Sequence, residues 1–257
     1  MKLNSIRSFL AVMVLILVSI SCQAGTPEPT PTPAFTATLP ATETAVPTST
    51  PRPTSTPRPT ATPNVAATQK YDEFNKILDD FSSKGYIEST NGRIIEMDDF
   101  KESWAKLNYY NFFLPMEEIS SDFLFKSHIK WSSASDTPDL AGCGIVFGLQ
   151  DNDDHYVVFF DQSRIAYGMR RGVQTYQVGK TSGSGYLKFG NPAEADVIIS
   201  VKGKSSFVSV NGEVTEYTLS MDQTTNGILA FSILSGTNRD YGTRCEMTGN
   251  MLWLASK

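Results

Sequence analysis

Short runs of apolar residues that alternate with other residues dominate the chain after Gly85, and they limit this region to a β-sheet fold. The runs at 142–149 (GCGIVFGL) and 155–160 (HYVVFF) are rich in the β-branched and aromatic side chains that strands favour. Turn signals separate such runs. One of them is Asn211-Gly212, a pair typical of hairpins because a type I′ turn needs positive φ at both positions. Many short strands joined by tight turns predict an all-β fold, a two-sheet antiparallel sandwich.

One short helix is predicted ahead of the strands. Phe74, Ile77, Leu78 and Phe81 fall at positions i, i+3, i+4 and i+7, which form one face of a helix. Gly85 follows at the place where glycine commonly ends a helix. We interpret the apolar stripe as core packing rather than as a site for a partner.

The composition divides the chain into a low-complexity segment and one domain. Of the 14 prolines, 11 lie between Pro27 and Pro63, and residues 22–64 are mostly Thr, Pro, Ala and Ser. Such a segment has too few apolar side chains to offset its conformational entropy, so we expect a disordered stalk. The domain at 65–257 keeps 18 basic and 25 acidic residues, a net charge of −7. An acidic domain without basic clusters argues against nucleic acid as a partner.

The N-terminal residues are typical of an export signal. Lys2 and Arg7 form a basic start, and an apolar run of about a dozen residues follows, shorter than the ~20 of a membrane span. Ser21-Cys22 then resembles the cleavage site of a bacterial lipoprotein. We therefore predict a signal peptide at 1–21 and a lipid-modified Cys22, with the domain anchored outside the cytoplasm. The alternative is an uncleaved N-terminal anchor, which gives the same topology.

The three cysteines agree with export. If Cys22 carries a lipid, Cys143 and Cys245 remain as an even pair in an oxidising compartment. We predict a disulfide between them, which would close a loop of about 100 residues. The alternative is two buried thiols. We predict no metal site, since the two cysteines lie far apart in the sequence and neither has a histidine nearby.

The strand region resembles the concanavalin A-like, or laminin-G-like, jelly rolls of bacterial envelope lipoproteins, near the 3-keto-disaccharide hydrolase-like family. The likeness is carried by four segments between residues 86 and 257: FKSHIKWSSA, CGIVFGLQDNDDHYVVFFD, VIISVKGKSSFVSVNGE and GILAFSILSG. It implies a jelly-roll sandwich. It does not imply one activity, because this superfamily includes lectins, adhesion modules and glycosidases.

The sequence lacks the carboxylate pattern of catalytic members of that fold. Retaining glycosidases place two carboxylates on one face of a strand, about 5 Å apart. Glu117-Glu118 are adjacent and would point in opposite directions, and Glu194 and Asp196 look like a strand entrance. The acidic run at 151–154 (DNDD) is typical of a turn. We therefore predict no catalytic residues and no cofactor.

Strand register suggests where a ligand would bind. If residues 162–163 turn a hairpin, Phe160 faces Ile165, Val158 faces Tyr167 and Tyr156 faces Met169, which makes that face the core.

The opposite faces then carry polar groups. We predict that a mixed set lines a concave ligand-binding surface: His128, Lys130, Gln150, His155 and Arg170. The alternative is an ordinary solvated sheet face.

The preferred function is a surface-anchored, non-catalytic module that binds a carbohydrate or another envelope component. The first alternative is a glycoside hydrolase of the 3-keto-disaccharide hydrolase-like type. The second is a structural accessory module that docks on another envelope protein. The fold alone does not choose among these three.

Overall fold

A computed structural model describes residues 65–113, 117–119, 122–135, 140–161, 164–179, 182–183 and 191–256. The predicted signal peptide at 1–21, Cys22 and the stalk at 22–64 lie outside the described residues. Within the described ranges, no helix is both long enough and apolar enough to span a membrane.

The predicted helix is present and ends where the sequence indicates. Helix α1 spans Val65–Ser83. Gly85 has a positive φ of 76°. Its N–H donates to the carbonyl of Ser82 (3.0 Å), and the N–H of Tyr86 donates to the carbonyl of Phe81 (2.9 Å). These two bonds form a Schellman motif, which satisfies the last helical carbonyls and turns the chain.

The described residues after the helix contain fifteen strands. The first eight are β1 (Gly92–Glu96), β2 (Phe100–Trp104), β3 (Tyr109–Phe113), β4 (Glu118–Ile119), β5 (Phe123–Ser133), β6 (Gly142–Leu149), β7 (His155–Asp161) and β8 (Arg164–Arg171). The other seven are β9 (Gln174–Gln177), β10 (Ser182–Gly183), β11 (Ala193–Lys202), β12 (Ser205–Val210), β13 (Glu213–Thr218), β14 (Gly227–Ser235) and β15 (Thr243–Ala255).

These strands form two antiparallel sheets, which confirms the predicted sandwich. The seven-stranded sheet has the order β1-β15-β5-β11-β12-β13, with β2 also paired to β15. The eight-stranded sheet has the order β10-β8-β7-β6-β14-β3, with β4 paired to β14 and β9 paired to β8. Groups of consecutive strands of one sheet are interrupted in the sequence by strands of the other, so both sheets form only when distant segments come together.

The core lies between the two sheets and follows the alternation of side chains. On β5, Phe123, Phe125, Ile129 and Trp131 point inward and are buried, as the sequence predicts. Inward residues of β6, β7 and β8 meet them from the eight-stranded sheet. The predicted β7–β8 register is also confirmed, with Phe160 opposite Ile165, Val158 opposite Tyr167 and Tyr156 opposite Met169.

Helix α1 covers part of the outer face of the seven-stranded sheet. Its residues Phe74 and Leu78 are buried in a second apolar cluster with Leu124 of β5 and Trp253 of β15. The apolar stripe is therefore core packing, as predicted, and the helix belongs to the sandwich as a third layer.

The disulfide predicted between Cys143 and Cys245 is present and joins the two sheets. Cys143 lies on β6 and Cys245 on β15, with a Cα–Cα distance of 5.5 Å and a sequence separation of 102. Both residues are fully buried. The bond therefore connects the layers at the centre of the sandwich, away from solvent reductants.

We expect the double variant Cys143→Ala/Cys245→Ala to lose about 2–5 kcal/mol of unfolding free energy, because the unfolded chain regains the freedom that the closed loop removes. Urea unfolding followed by fluorescence measures the loss. Unchanged stability in the double variant would contradict this account, and a thiol reagent added to the native wild type should find no reactive cysteine in the domain.

We expect Phe74→Ala to cost about 3–5 kcal/mol, because it leaves a cavity between α1 and the sheet. Lys76→Ala, an exposed change on the same helix, is the control and should alter stability by less than ~0.5 kcal/mol. Thermal and urea unfolding of the two variants test the prediction. Equal effects would mean that α1 does not contribute to the core.

Candidate functional site

The structure does not bring the five predicted ligand-binding residues together. His128 and Lys130 lie on β5 of the seven-stranded sheet, whereas His155 and Arg170 lie on β7 and β8 of the eight-stranded sheet. Gln150 follows β6. The two groups sit on the outer sides of different sheets, so the prediction that all five line one surface is wrong. Alternation identifies the face of each strand but not the sheet to which the strand belongs.

His128 and Lys130 belong to a solvated, charge-paired surface. His128 Nδ1 lies 2.9 Å from Asp196 Oδ1 on the neighbouring strand.

A row of alternating charges lies beside this pair. Lys130 stands between Glu194 and Glu246 in register, and Glu246 is in turn 2.7 Å from Lys101. Hydrogen bonding to Lys101 lowers the pKa of Glu246. Cross-strand pairs of opposite charge are a normal way to stabilise an exposed sheet face.

The outer face of the eight-stranded sheet is different, because it is largely apolar and buried. It carries a third cluster with Val146 of β6, Val157 and Phe159 of β7, and Ala230 and Leu234 of β14. The sequence analysis treated this side of β7 as a mixed polar face. The run HYVVFF carries apolar residues at both its odd and its even positions, a pattern typical of a strand buried on both faces.

The centre of this outer face is a floor of small residues beneath aromatic rings. The strand order places β6 and β14 between β7 and β3, and the register aligns Gly144 of β6 with Ser232 of β14 and Phe159 of β7. A Cβ added at Gly144 would lie 2.4 Å from the Phe159 ring. The ring therefore lies directly on the glycine.

Aromatic side chains from β3 reach across this floor to β7. The Tyr110 and Phe159 ring centroids are 5.3 Å apart, and those of Phe112 and His155 are 5.6 Å apart. Two strands at a spacing of ~4.8 Å separate β3 from β7, so such contacts require a curved sheet. We call Tyr110, Phe112, His155 and Phe159 the aromatic face.

His155 is fully buried in the aromatic face and holds one tautomer. Its Nδ1 is 2.7 Å from the carbonyl oxygen of Asp153, and its Nε2 is 2.8 Å from the hydroxyl of Tyr110. A carbonyl only accepts, so Nδ1 carries the proton and donates it to Asp153. Nε2 then accepts a hydrogen bond from Tyr110. Burial lowers the pKa of His155 below 6.5, so the imidazole is neutral at pH 7.

Arg170 lies next to these hydrogen bonds of His155. It lies opposite His155 in register, and hydrogen bonds to Tyr109 and Tyr110 raise its pKa. Burial raises the pKa of Tyr110, although Arg170 acts in the other direction. Tyr110, His155 and the Asp153 carbonyl thus form one connected chain of donors and acceptors, and Arg170 lies beside it.

Tyr109 marks the exposed rim of the site. Its side chain is 42% exposed, and its ring stacks on that of Tyr110 at 5.8 Å with an interplanar angle of 17°. Lys106 Nζ lies 4.3 Å from the ring centroid of Tyr109. We call Lys106, Tyr109, Tyr110 and Arg170 the Tyr109 cluster.

Gln150 has a structural part near the site. Its Nε2 is within hydrogen-bond distance of the carbonyls of Gly148 (3.0 Å) and Asn226 (2.6 Å). The first bond returns to the end of β6, and the second attaches the β6–β7 turn to the residue before β14. The amide group is engaged within the protein, so of the five predicted residues only His155 and Arg170 contribute to the Tyr109 cluster and the aromatic face.

Tyr109, Tyr110 and Phe112 are site residues that were not predicted from the sequence. The signal was available in the run YYNFF at 109–113, whose four aromatic residues in five positions are unusual for a solvated edge strand. What the sequence could not show was the curvature that brings this edge strand to β7. In the described ranges, no group of three or more His, Cys, Asp or Glu side chains is placed to hold a metal ion.

Comparisons of fold give distant likenesses to solved structures. A carbohydrate-binding module from Bacillus subtilis is 9% identical with a TM-score of 0.43, and the match covers 64% of this chain and 92% of that one. Sheep galectin-11 in complex with glycerol is 12% identical with a TM-score of 0.34, covering 55% of this chain and 99% of that one. A β-fructofuranosidase from Schwanniomyces occidentalis complexed with fructosyl-erythritol is 13% identical with a TM-score of 0.41, covering 62% of this chain and only 33% of that one.

No protein-family model matches the sequence, and no curated protein is similar to it in sequence. The TM-scores are too low for any structural match to carry an argument about ligands. The function is therefore argued from the residues of this chain.

The buried His155 makes stability depend on pH. Because the pKa of His155 is lower in the folded protein than its ordinary 6.5, the unfolded chain binds the proton more readily, and stability falls as pH drops below about 6.5. We expect His155→Gln, which keeps one donor and one acceptor, to flatten this decline between pH 7.5 and 5. Urea unfolding across that range measures the slope.

The chain has two histidines, so His128→Gln is the matched control. That variant keeps His155 and should keep the decline. A decline lost in His128→Gln and retained in His155→Gln would show that the assignment to His155 is wrong.

Proposed function

We propose that this chain is a non-catalytic carbohydrate-binding module, displayed outside the cytoplasm and anchored to the membrane through a lipid on Cys22. Its binding site is the Tyr109 cluster at the rim of the eight-stranded sheet. The observation that carries the proposal is an exposed tyrosine ring that stacks on Tyr110 and has the Lys106 ammonium over its face.

A fixed, exposed aromatic ring beside planar polar groups suits the surface of a sugar. The C–H face of a pyranose packs on an aromatic ring, and the hydroxyl groups around its edge need hydrogen-bonding partners. Tyr109 offers the ring, and Arg170 offers N–H donors next to it. Because the cluster is already ordered by contacts inside the protein, binding costs little side-chain entropy.

The network behind the cluster supports binding rather than catalysis. His155 is fully buried beneath Tyr110, and its Nδ1 proton is held by a backbone carbonyl instead of a carboxylate. By accepting a hydrogen bond at Nε2, His155 orients the Tyr110 hydroxyl. The acidic pair at Glu194 and Asp196, which has the spacing of a shared strand face, lies on the other sheet among Lys130 and His128.

The buried disulfide supports the proposed location. Disulfides of this kind persist in oxidising compartments outside the cytoplasm. Export and lipidation of Cys22 remain predictions from the sequence. Metabolic labelling with a radioactive fatty acid tests the anchor, and Cys22→Ser should lose the label.

We expect the purified domain to bind oligosaccharides on a glycan array, and Tyr109→Ala to weaken binding at least ~10-fold by removing the packing surface. Tyr176→Ala is the matched control, since Tyr176 is a 45% exposed tyrosine on β9 outside the cluster. Isothermal titration with the best array ligand measures both variants. Equal losses in the two variants, or no glycan bound by the wild type, would overturn the proposal.

A further inference from the structure

We infer that the carbohydrate bound at the Tyr109 cluster is acidic, carrying a carboxylate or sulfate group on the sugar. This inference rests on the proposed function and goes beyond it by naming the class of ligand. The structural basis is Lys106, whose Nζ lies 4.3 Å from the ring centroid of the exposed Tyr109, and Arg170, whose strand partner His155 contacts Tyr110. Neither cation takes part in an ion pair with the described residues.

Arg170 has N–H donors in addition to the one at Nε. A guanidinium has five N–H groups. Nε donates to the carbonyl of Gly172 (3.1 Å). The N–H groups of its two Nη atoms lie on a side chain that is only partly buried. A planar pair of donors matches the two oxygens of a carboxylate or sulfate.

Lys106 places a second positive charge on the same ring. Its Nζ lies over the face of Tyr109, 4.3 Å from the ring centroid. Arg170 interacts with Tyr109 and Tyr110, which raise its pKa, so both cations belong to one cluster. Packing a cation on an aromatic face is weakly favourable by itself, and it keeps the ammonium near any anionic group on a sugar stacked at this rim.

The carboxylates nearest to this region are used elsewhere or act on other groups. Asp154 accepts the backbone N–H of Gly172 (2.6 Å) and is bonded to Asn152. The charges of Asp153 and Asp154 act to raise the pKa of His155, and the charge of Asp153 also acts to raise the pKa of Tyr110. The side chains that raise the pKa of Arg170 are Tyr109 and Tyr110. The positive charge of Arg170 is thus not neutralised inside the cluster.

The net negative charge of the chain bears on which ligands these two cations would attract. The chain has a net charge of −5, and other cations, such as Lys101 and Lys84, are paired with carboxylates. A neutral sugar needs no cation at its binding ring. An acidic sugar gains from both, and on a negatively charged domain the two cations also give it a local attractive site.

The test compares matched acidic and neutral ligands by isothermal titration at 20 mM and 300 mM NaCl. The first pair is tetragalacturonate and its fully methyl-esterified form, and the second is a sulfated oligosaccharide and its desulfated form. We expect each acidic form to bind at least tenfold more tightly than its neutral partner, with affinity falling at the higher salt concentration. The two pairs distinguish carboxylate from sulfate as the preferred group.

The variant Arg170→Gln should reduce binding of the acidic form by a factor at least tenfold larger than the factor by which it reduces binding of the neutral form. Arg171→Gln is the matched control, because it removes the same charge from the adjacent residue, whose guanidinium is bonded to the carbonyl of Asp222 instead. Circular dichroism and thermal unfolding check that both variants fold. If Arg170→Gln does not fold, Lys106→Gln, at an exposed residue, gives the same comparison.

The outcomes separate this inference from the proposed function. Neutral and acidic forms that bind equally well, with Tyr109→Ala still weakening both, would overturn the acidic ligand and leave the carbohydrate-binding module in place. A wild-type protein that binds none of the glycans on the array would overturn both. Equal losses in Arg170→Gln and Arg171→Gln would show that only the overall charge matters, which also contradicts the inference.

Discussion

The burial of two sheet faces against each other is the constraint on which the rest of this structure depends. Inward side chains of β5 and β6 supply the core, and the Cys143–Cys245 bond joins the layers there. Once these inner faces are buried, each sheet still has an outer face that must be either solvated or covered by other side chains. Helix α1 and a charge-paired surface complete the seven-stranded sheet, whereas the eight-stranded sheet packs aromatic rings over small residues.

The packing of aromatic rings over small residues on the eight-stranded sheet links the interior to the rim by a series of contacts. Gly144 leaves room for Phe159, and Phe159 and His155 support Tyr110. Tyr110 in turn stacks on Tyr109, and Arg170 lies opposite His155 on the next strand. A neutral His155 fits this series because Nε2 must accept a hydrogen bond from Tyr110. Protonation would replace the acceptor with a donor and break the link between the buried ring and the exposed one.

The sequence predicted features that depend on local pattern or on pairs of adjacent strands. Helix α1, its end at Gly85, the register that places Phe160 opposite Ile165, and the inward parity of β5 were all predictable from spacing. The disulfide followed from the number of cysteines. The candidate site was predicted only in part, because His128 and His155 have similar strand contexts but lie in different sheets. Sheet membership depends on pairings between distant segments, and parity carries no information about it.

The floor at Gly144 has a consequence for how a family of such modules would diversify. Gly144 is covered by Phe159 and lies outside the Tyr109 cluster, yet its size decides where Phe159 sits and therefore how Tyr110 and Tyr109 are presented. If the Tyr109 cluster binds a sugar as proposed, one methyl group added at Gly144 would change its selectivity while every residue of the cluster stays the same. Comparing only surface residues between homologous modules would miss that kind of divergence.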